Sequence, residues 1–267
     1  MRIYIGILLS ITLLGCQSSP EWHPITPIML DDISPIGMHV DDEGIWLSDG
    51  DRNLLSLIDK SGAIKRTVTG IERPMHIDVD DGSPIVPSYG SDEVFVVGDS
   101  THSLNIEYDM DAPAGVDIYK GYIAIADFYN HRILLRDSNQ NWNTIGGPKK
   151  GKADGMFDYP TDVQIVGDRL YVADAYNHRG QVFTLDGEHL LTFGSDQEMN
   201  AATGIFVSDD QIVLTDFEND RVIVFDHNGA FVQLLEQGFL KPTEVFVHLD
   251  TMYVANYQGG YISRLVR

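Results

Sequence analysis

Six residues recur at almost even spacing along the chain: Asp49, Ser88, Asp127, Asp174, Asp216 and Asn256, at intervals of 39, 39, 47, 42 and 40. A second column, Pro35, Pro74, Pro113, Pro160, Ala202 and Pro242, precedes it by 14 positions in every unit. Three residues after each opener stand Met38, Ile77, Val116, Val163, Ile205 and Val245. Five after it stand Val40, Val79, Ile118, Ile165, Val207 and Val247. Chance does not keep four columns in register over six units. The unit Tyr159–Gly194 shows what repeats. Thr161–Val166, Arg169–Ala173, Gln181–Leu185 and His189–Phe193 alternate apolar and polar residues, and Gly167-Asp168 and Asp186-Gly187 sit at turns. A side-chain period of two between Gly/Asp turns specifies antiparallel strands. Four short strands per unit of about 40 residues specify a propeller blade. The expected fold is all-β: a six-bladed β-propeller of four-stranded antiparallel blades.

The sixth unit has strands at Thr243–Val247, Met252–Ala255 and Tyr261–Val266 and lacks a fourth. The apolar segment Ile25–Leu30 is expected to supply it and close the ring. Pro24 and Pro27 suit an outermost edge strand, where one N–H side faces water. Ahead of it, Arg2 and the apolar run Ile3–Leu14 end in Leu13-Leu14-Gly15-Cys16. The run is 12 residues long, short of the ~20 a membrane span needs. It resembles a bacterial lipoprotein signal, with Cys16, the single cysteine, as the lipidated residue. The expected organisation is a signal peptide over 1–15, a tether over 16–24 and the propeller over 25–267. By resemblance to enterobacterial lipoprotein sorting, Gln17 after the cysteine implies the outer membrane, facing the periplasm, as the expected location. Without a second cysteine there is no disulfide, so the propeller rests on its core.

Several units carry a further pattern. It stands in Gly151–Val163 (GKADGMFDYPTDV), Tyr171–Arg179 (YVADAYNHR), Ile125–Ile133 (IADFYNHRI) and Leu214–Val222 (LTDFENDRV). On these residues the chain, from about Ile33 to Arg267, resembles the NHL-repeat β-propellers. Blades 1, 2 and 6 depart from the motif: blade 2 has Ser88 and Glu93 at the Asp and Arg positions, and blade 6 has Asn256 and Tyr261. The resemblance implies the propeller fold and leaves the ligand open.

Charge restricts the partners. The chain holds 40 acidic against 18 basic residues, a net of −22. Such a field repels nucleic acid and favours cationic partners. The one basic cluster is Lys149, Lys150 and Lys152. The acidic hairpin tips lack the alternating acids of a calcium loop.

In a propeller the first strand of each blade lines the central channel, and the loops between second and third strands open on the same face as the interblade connections. Three groups converge there. Two residues after the openers stand Gly37, His76, Gly115, Asp162, Gly204 and Glu244. One imidazole and two carboxylates on alternate blades can hold a divalent metal, and the mixed donors suit Zn, Mn or Fe. The competing reading is that they bond to backbone N–H groups of neighbouring blades. The second group is Asp-x-x-Asn-x-Arg in three blades: Asp127, Asn130, Arg132; Asp174, Asn177, Arg179; Asp216, Asn219, Arg221. Repetition points to structure, since a catalytic residue need occur only once. The third group is aromatic: Tyr89, Phe128, Tyr129, Tyr176, Phe217 and Tyr257. Those left exposed, with Tyr89, Tyr129, Tyr176 and Tyr257 foremost, form a stacking rim for a sugar, a peptide or a cationic group.

Gly-x-Ser-x-Gly, His-Glu-x-x-His and P-loop signatures are absent. The expected function is an envelope-anchored binding or scaffold module that recruits a protein, peptide or glycan through its loop face. The alternative is a metal-dependent lactonase, other hydrolase or lyase. Related six-bladed propellers include lactonases of the gluconolactonase type and the peptide-amidating lyase, both with a metal at the channel mouth.

Overall fold

The strands follow the expected turns, because Gly and Asp at the hairpin tips supply the left-handed backbone that two-residue turns need. The computed structural model describes residues 21–267. The signal peptide, Cys16 and residues up to Pro20 of the tether lie outside the described residues. Among the described residues, twenty-four strands form six four-stranded antiparallel sheets, arranged as a propeller. The innermost strands are Met38–Val40, Asp78–Asp80, Pro113–Tyr119, Pro160–Val166, Ala202–Val207 and Pro242–His248.

The ring closes as expected. His23–Met29 pairs antiparallel with Tyr261–Val266 and completes the sixth blade, with a register shift between Ile25 and Ile28 that accommodates Pro27. The strand starts two residues earlier than the sequence reading places it, and Trp22 ahead of it is buried. The Trp22 indole N–H donates to Gln211 Oε1 at 3.2 Å, and its backbone N–H donates to Gln233 Oε1 at 3.0 Å. The N-terminal segment is thereby tied to blade 5 as well as blade 6.

Strand alternation assigns the columns. The residues three after each opener, Met38 to Val245, are all buried between blades. Each pair of neighbouring blades shares one apolar cluster. Tyr171, Val182 and Phe193 of blade 4, for example, meet Ile205, Leu214 and Phe225 of blade 5. Each large apolar side chain so buried stabilises the fold by ~1.5–3 kcal/mol. Blade contacts are thus the main stabilising term, and the blade order is the chain order.

Near the loop face, four inner strands shift register at the residues after the opener: between Pro113 and Gly115, Pro160 and Asp162, Ala202 and Ile205, and Pro242 and Glu244. Such bulges re-aim side chains. Here the residue one after the opener (Thr161, Thr203, Thr243) lines the loop-face cavity, and the next one points to the channel axis.

Candidate functional site

The alternation of glycine with His, Asp and Glu has a steric cause. A Cβ on Gly115 would lie 2.6 Å from Thr161 O and 2.8 Å from Asp162 Cα, and one on Gly204 would lie 2.5 Å from Thr243 O and 2.9 Å from Glu244 Cα. Gly37 meets the backbone of Met75 and His76 in the same way. Each glycine lets the next blade's inner strand approach backbone to backbone. That blade then carries the side chain that reaches the axis. His76, Asp162 and Glu244 are all buried, and their ligating atoms lie within 4.8 Å of one another. The three glycines therefore do not weaken the set; they make room for it.

The geometry is defined atom by atom. His76 Nδ1 lies 2.8 Å from Glu244 Oε2. Glu244 Oε1 accepts the Val245 N–H at 2.9 Å, and Asp162 accepts those of Val163 and Ile205, each at 2.9 Å. The carboxylates bond to backbone N–H groups, one of them on the next blade, and they also converge with His76 at the axis. Burial pushes Glu244 well above the usual carboxylate range. Burial, then the Glu244 charge, pushes Asp162 up to about 8, against the attraction of His76. Burial lowers His76, against the attraction of Asp162. The His76 imidazole and the Glu244 carboxyl pair directly across this buried contact. The donor set fits a divalent metal, since His with two oriented carboxylates matches zinc-type ligation and the backbone N–H groups hold the carboxylates in place.

The raised Asp162 has a measurable consequence. Its carboxyl moves from 3.8 unfolded to about 8 folded, so the native state binds the extra proton. Its contribution is complete below pH ~4 and is lost as pH rises through ~8. Glu244 acts in the same sense. Chelator-treated protein is expected to be less stable to urea at pH 8 than at pH 5, and Asp162→Asn to flatten that slope. An unchanged slope in the variant would remove Asp162 from the account.

Above this trio, on the loop face, opens a cavity of about 560 Å³. Thr161, Thr203, Thr243 and His76 are among the residues at its base, and Tyr89, Phe128, Tyr176, Phe217 and Tyr257 stand in its wall. Tyr176 is 55% exposed and Tyr129 46%. Tyr89 and Tyr257 are half-buried: Tyr89 bonds the Tyr129 hydroxyl at 2.7 Å, and Tyr257 donates to Asp51 Oδ2 at 2.7 Å. Tyr129 stands beside the cavity rather than in its lining. Tyr159, which the sequence reading passed over, sits within the arc. Its ring lies 4.7 Å from Phe128, 5.7 Å from Tyr129 and 5.2 Å from Tyr176. Its place directly before the opener Pro160 was the available signal. Arg73 stands over Tyr89 at 4.7 Å.

The Asp-x-x-Asn-x-Arg residues brace this face. Asp127, Asp174 and Asp216 are fully buried, and each accepts the backbone N–H of the residue 16 positions earlier, Asp111, Asp158 and Asn200. Asn130, Asn177 and Asn219 donate to the same carboxylates, as do Arg132, Arg179 and Arg221. The arginines also donate to interblade-loop carbonyls. Where the motif departs, the bond persists in altered form: Asn256 accepts the Leu240 N–H at 2.8 Å, and Ser88 Oγ donates to Glu72 O at 2.6 Å. A second latch escaped the sequence reading. Asn53, Asp92, His131, His178 and Asp220, all with positive φ, accept the N–H of Arg73, Ala112, Tyr159, Ala201 and Lys241 on the next connection. His131 and His178 thus act as acceptors in one repeated interblade bond.

No protein-family model matches the chain. Part of it is similar to NHL repeat-containing protein 2: 32% identical over 130 residues of the Bos taurus protein, which is 44% of this chain and 17% of that protein, and 36% over 98 residues of the Homo sapiens protein, 32% of this chain and 14% of that one. It is also 29% identical over 129 residues to Drosophila melanogaster Protein brain tumor, 46% of this chain and 12% of that protein. The matches therefore span about a sixth or less of these relatives' length. Among solved structures, virginiamycin B lyase from Staphylococcus aureus superposes with a TM-score of 0.67 at 16% identity over 92% of this chain and 100% of that one. A streptogramin B lyase superposes with a TM-score of 0.66 at 13% identity, over 91% and 97%. At such identities the structural likeness shows the fold alone. The chain is a six-bladed β-propeller whose blades are similar to NHL repeats.

Proposed function

We propose that the protein is a cell-envelope binding module that recruits a protein, peptide or glycan through its loop face. The observation that carries this reading is the aromatic arc around the 560 Å³ cavity, with Tyr129 and Tyr176 exposed beside half-buried Tyr89, Phe128 and Tyr159. Aromatic faces offer large contact area at low entropic cost and suit sugar rings, peptide side chains and cationic groups. The NHL-repeat likeness supports a binding or scaffold role. In this reading Cys16 carries the lipid anchor and holds the propeller at the outer membrane, facing the periplasm. The test is an array of envelope peptides and glycans probed with purified protein. A ligand of the loop face loses at least tenfold in affinity in Tyr129→Ala/Tyr176→Ala, while Cys16→Ala leaves binding intact and moves the protein from the membrane to the soluble fraction. Hits that bind the double variant as well as the parent would defeat the loop-face reading.

A second reading is favoured by the convergence of His76, Asp162 and Glu244 beneath that cavity: a metal-dependent hydrolase or lyase. A bound divalent ion supplies Lewis acidity toward a substrate carbonyl or a water. The three side chains would hold it, the backbone N–H groups of Val163, Ile205 and Val245 orient the carboxylates, and the aromatic wall would position the substrate. The likeness in fold to virginiamycin B lyase is compatible with this reading. Elemental analysis of protein purified without added metal or chelator is the check. Stoichiometric Zn, Mn or Fe, lost in His76→Ala and Glu244→Ala, is the expected result for this reading, and absence of metal from well-folded parent protein removes it.

A further inference from the structure

The channel is divided in two. The His76, Asp162 and Glu244 trio lies between the loop-face cavity and a second cavity of about 300 Å³ on the opposite side, and the two share no lining residue. The second cavity is built from the residues four after each opener: His39, Asp78, Asp117, Gln164, Phe206 and Phe246.

Structure accounts for only half of this ring's chemistry. Asp78 Oδ2 accepts the Ile118 N–H at 2.9 Å, Asp117 Oδ2 that of Ile165 at 2.9 Å, and Gln164 Oε1 that of Val207 at 2.6 Å. Each bond joins one blade to the next. The neutral amide of Gln164 serves this purpose as well as a carboxylate does, and Phe206 and Phe246 occupy the position without it. The blade-to-blade bond therefore does not require negative charge. Yet Asp78 and Asp117 place two carboxyls side by side under Asp162 and Glu244, and among the described residues no lysine or arginine lines the cavity. The second oxygen of Asp117 and the amide nitrogen of Gln164 have no hydrogen-bond partner among the described residues. The second oxygen of Asp78 has only His39 Nδ1, at 3.6 Å.

The other side of the ring is aromatic. His39 packs on Phe246 with ring centroids 4.8 Å apart, and Phe246 on Phe206 at 4.9 Å. Both phenylalanines are half-buried and border a polar cavity. Tyr119 adds a further ring at the mouth, with Lys120 Nζ 4.8 Å from its centroid. Paired carboxyls facing aromatic rings are the complement of an organic cation, which takes charge-assisted hydrogen bonds on one side and ring faces on the other. A hydrated inorganic ion has no use for the rings.

We propose that this lower channel mouth is a second binding site, independent of the loop face, for an organic cation bearing an ammonium or guanidinium group, held by Asp78 and Asp117 against the wall of His39, Phe206 and Phe246. Calorimetric titration of the purified protein with agmatine, which carries both groups, tests it. Saturable one-to-one binding is expected. It weakens at least tenfold in Asp78→Asn and in Asp117→Asn, which keep the acceptor for the interblade N–H and hence the fold, as thermal melting checks. Tyr176→Ala on the loop face leaves it unchanged. Absence of saturable binding, equal affinity in the Asp78→Asn/Asp117→Asn double variant, loss of binding in Tyr176→Ala, or saturable binding of Ca²⁺ in place of agmatine would each overturn the proposal.

Discussion

Arg179→Ala is expected to lower the unfolding free energy by about 3–5 kcal/mol, the cost of breaking a buried ion pair from one side. The Arg179 side chain is 7% exposed and its partner Asp174 is fully buried, with Nε and Oδ2 2.9 Å apart. The guanidinium also donates to the carbonyls of Lys152, Ala153 and Met156. Truncation removes the cation from the carboxylate and leaves the Lys152 carbonyl without its donor, while the Met156 N–H and Gln181 Nε2 still donate to the Ala153 and Met156 carbonyls. Asn177 and Gln181 still donate to Asp174, which keeps the loss below that of a wholly isolated charge. The two sister residues calibrate the effect. Arg132 and Arg221 are 19% and 17% exposed, so water can partly replace them, and the same substitution there is expected to cost about 1–3 kcal/mol. Arg179→Lys does not restore the parent, because an ammonium cannot reproduce the planar fork. Urea unfolding of the three alanine variants checks the ranking; equal losses at all three sites would contradict the assignment of the difference to burial.

Gly115→Ala is expected to destabilise by about 1–3 kcal/mol or more and, unlike Arg179→Ala, to disturb the channel directly. The new methyl would sit 2.6 Å from Thr161 O and 2.8 Å from Asp162 Cα. Both neighbours are backbone, so no side-chain rotation relieves the clash. The inner strand of blade 4 has to move outward, and Asp162 moves with it. The pH slope assigned to Asp162 should therefore shrink together with stability. Gly98→Ala is the matched control: the nearest atom to its Cβ is 3.9 Å away, and little change is expected. Chemical unfolding at two pH values separates the outcomes. A stable Gly115→Ala protein with an intact pH slope would show that close blade approach is not what seats Asp162.

The blade count, the closing strand and the channel trio could all be read from the residues, because each rests on strict periodicity. Four columns in register define the blades, and strand alternation then puts the residue two after each opener at the axis. What could not be read is what a column does when its residue types vary. Asn53, Asp92, His131, His178 and Asp220 share one backbone bond, yet as letters they share only the ability to accept a hydrogen bond at positive φ. The ring His39, Asp78, Asp117, Gln164, Phe206 and Phe246 mixes charge, amide and aromatic, so no periodic signal marks it. The glycines at 37, 115 and 204 look like gaps in a ligand set until the backbone of the neighbouring blade is seen against them. Exposure of the aromatic column is a matter of side-chain direction: Tyr129 and Tyr176 point outward, whereas Phe128 and Phe217 are half-buried.

The central claim is that the protein, peptide or glycan partner is met on the loop face. Site-specific photo-crosslinking in intact cells tests it most directly, with a benzoylphenylalanine placed in turn at Tyr129, Tyr176 and Leu249. Leu249 is 79% exposed at the hairpin tip between the first two strands of blade 6, on the opposite face. The account predicts one discrete adduct shared by positions 129 and 176 and none from 249. Adducts from 249 alone, or none from either loop-face position in folded, normally abundant protein, would contradict it.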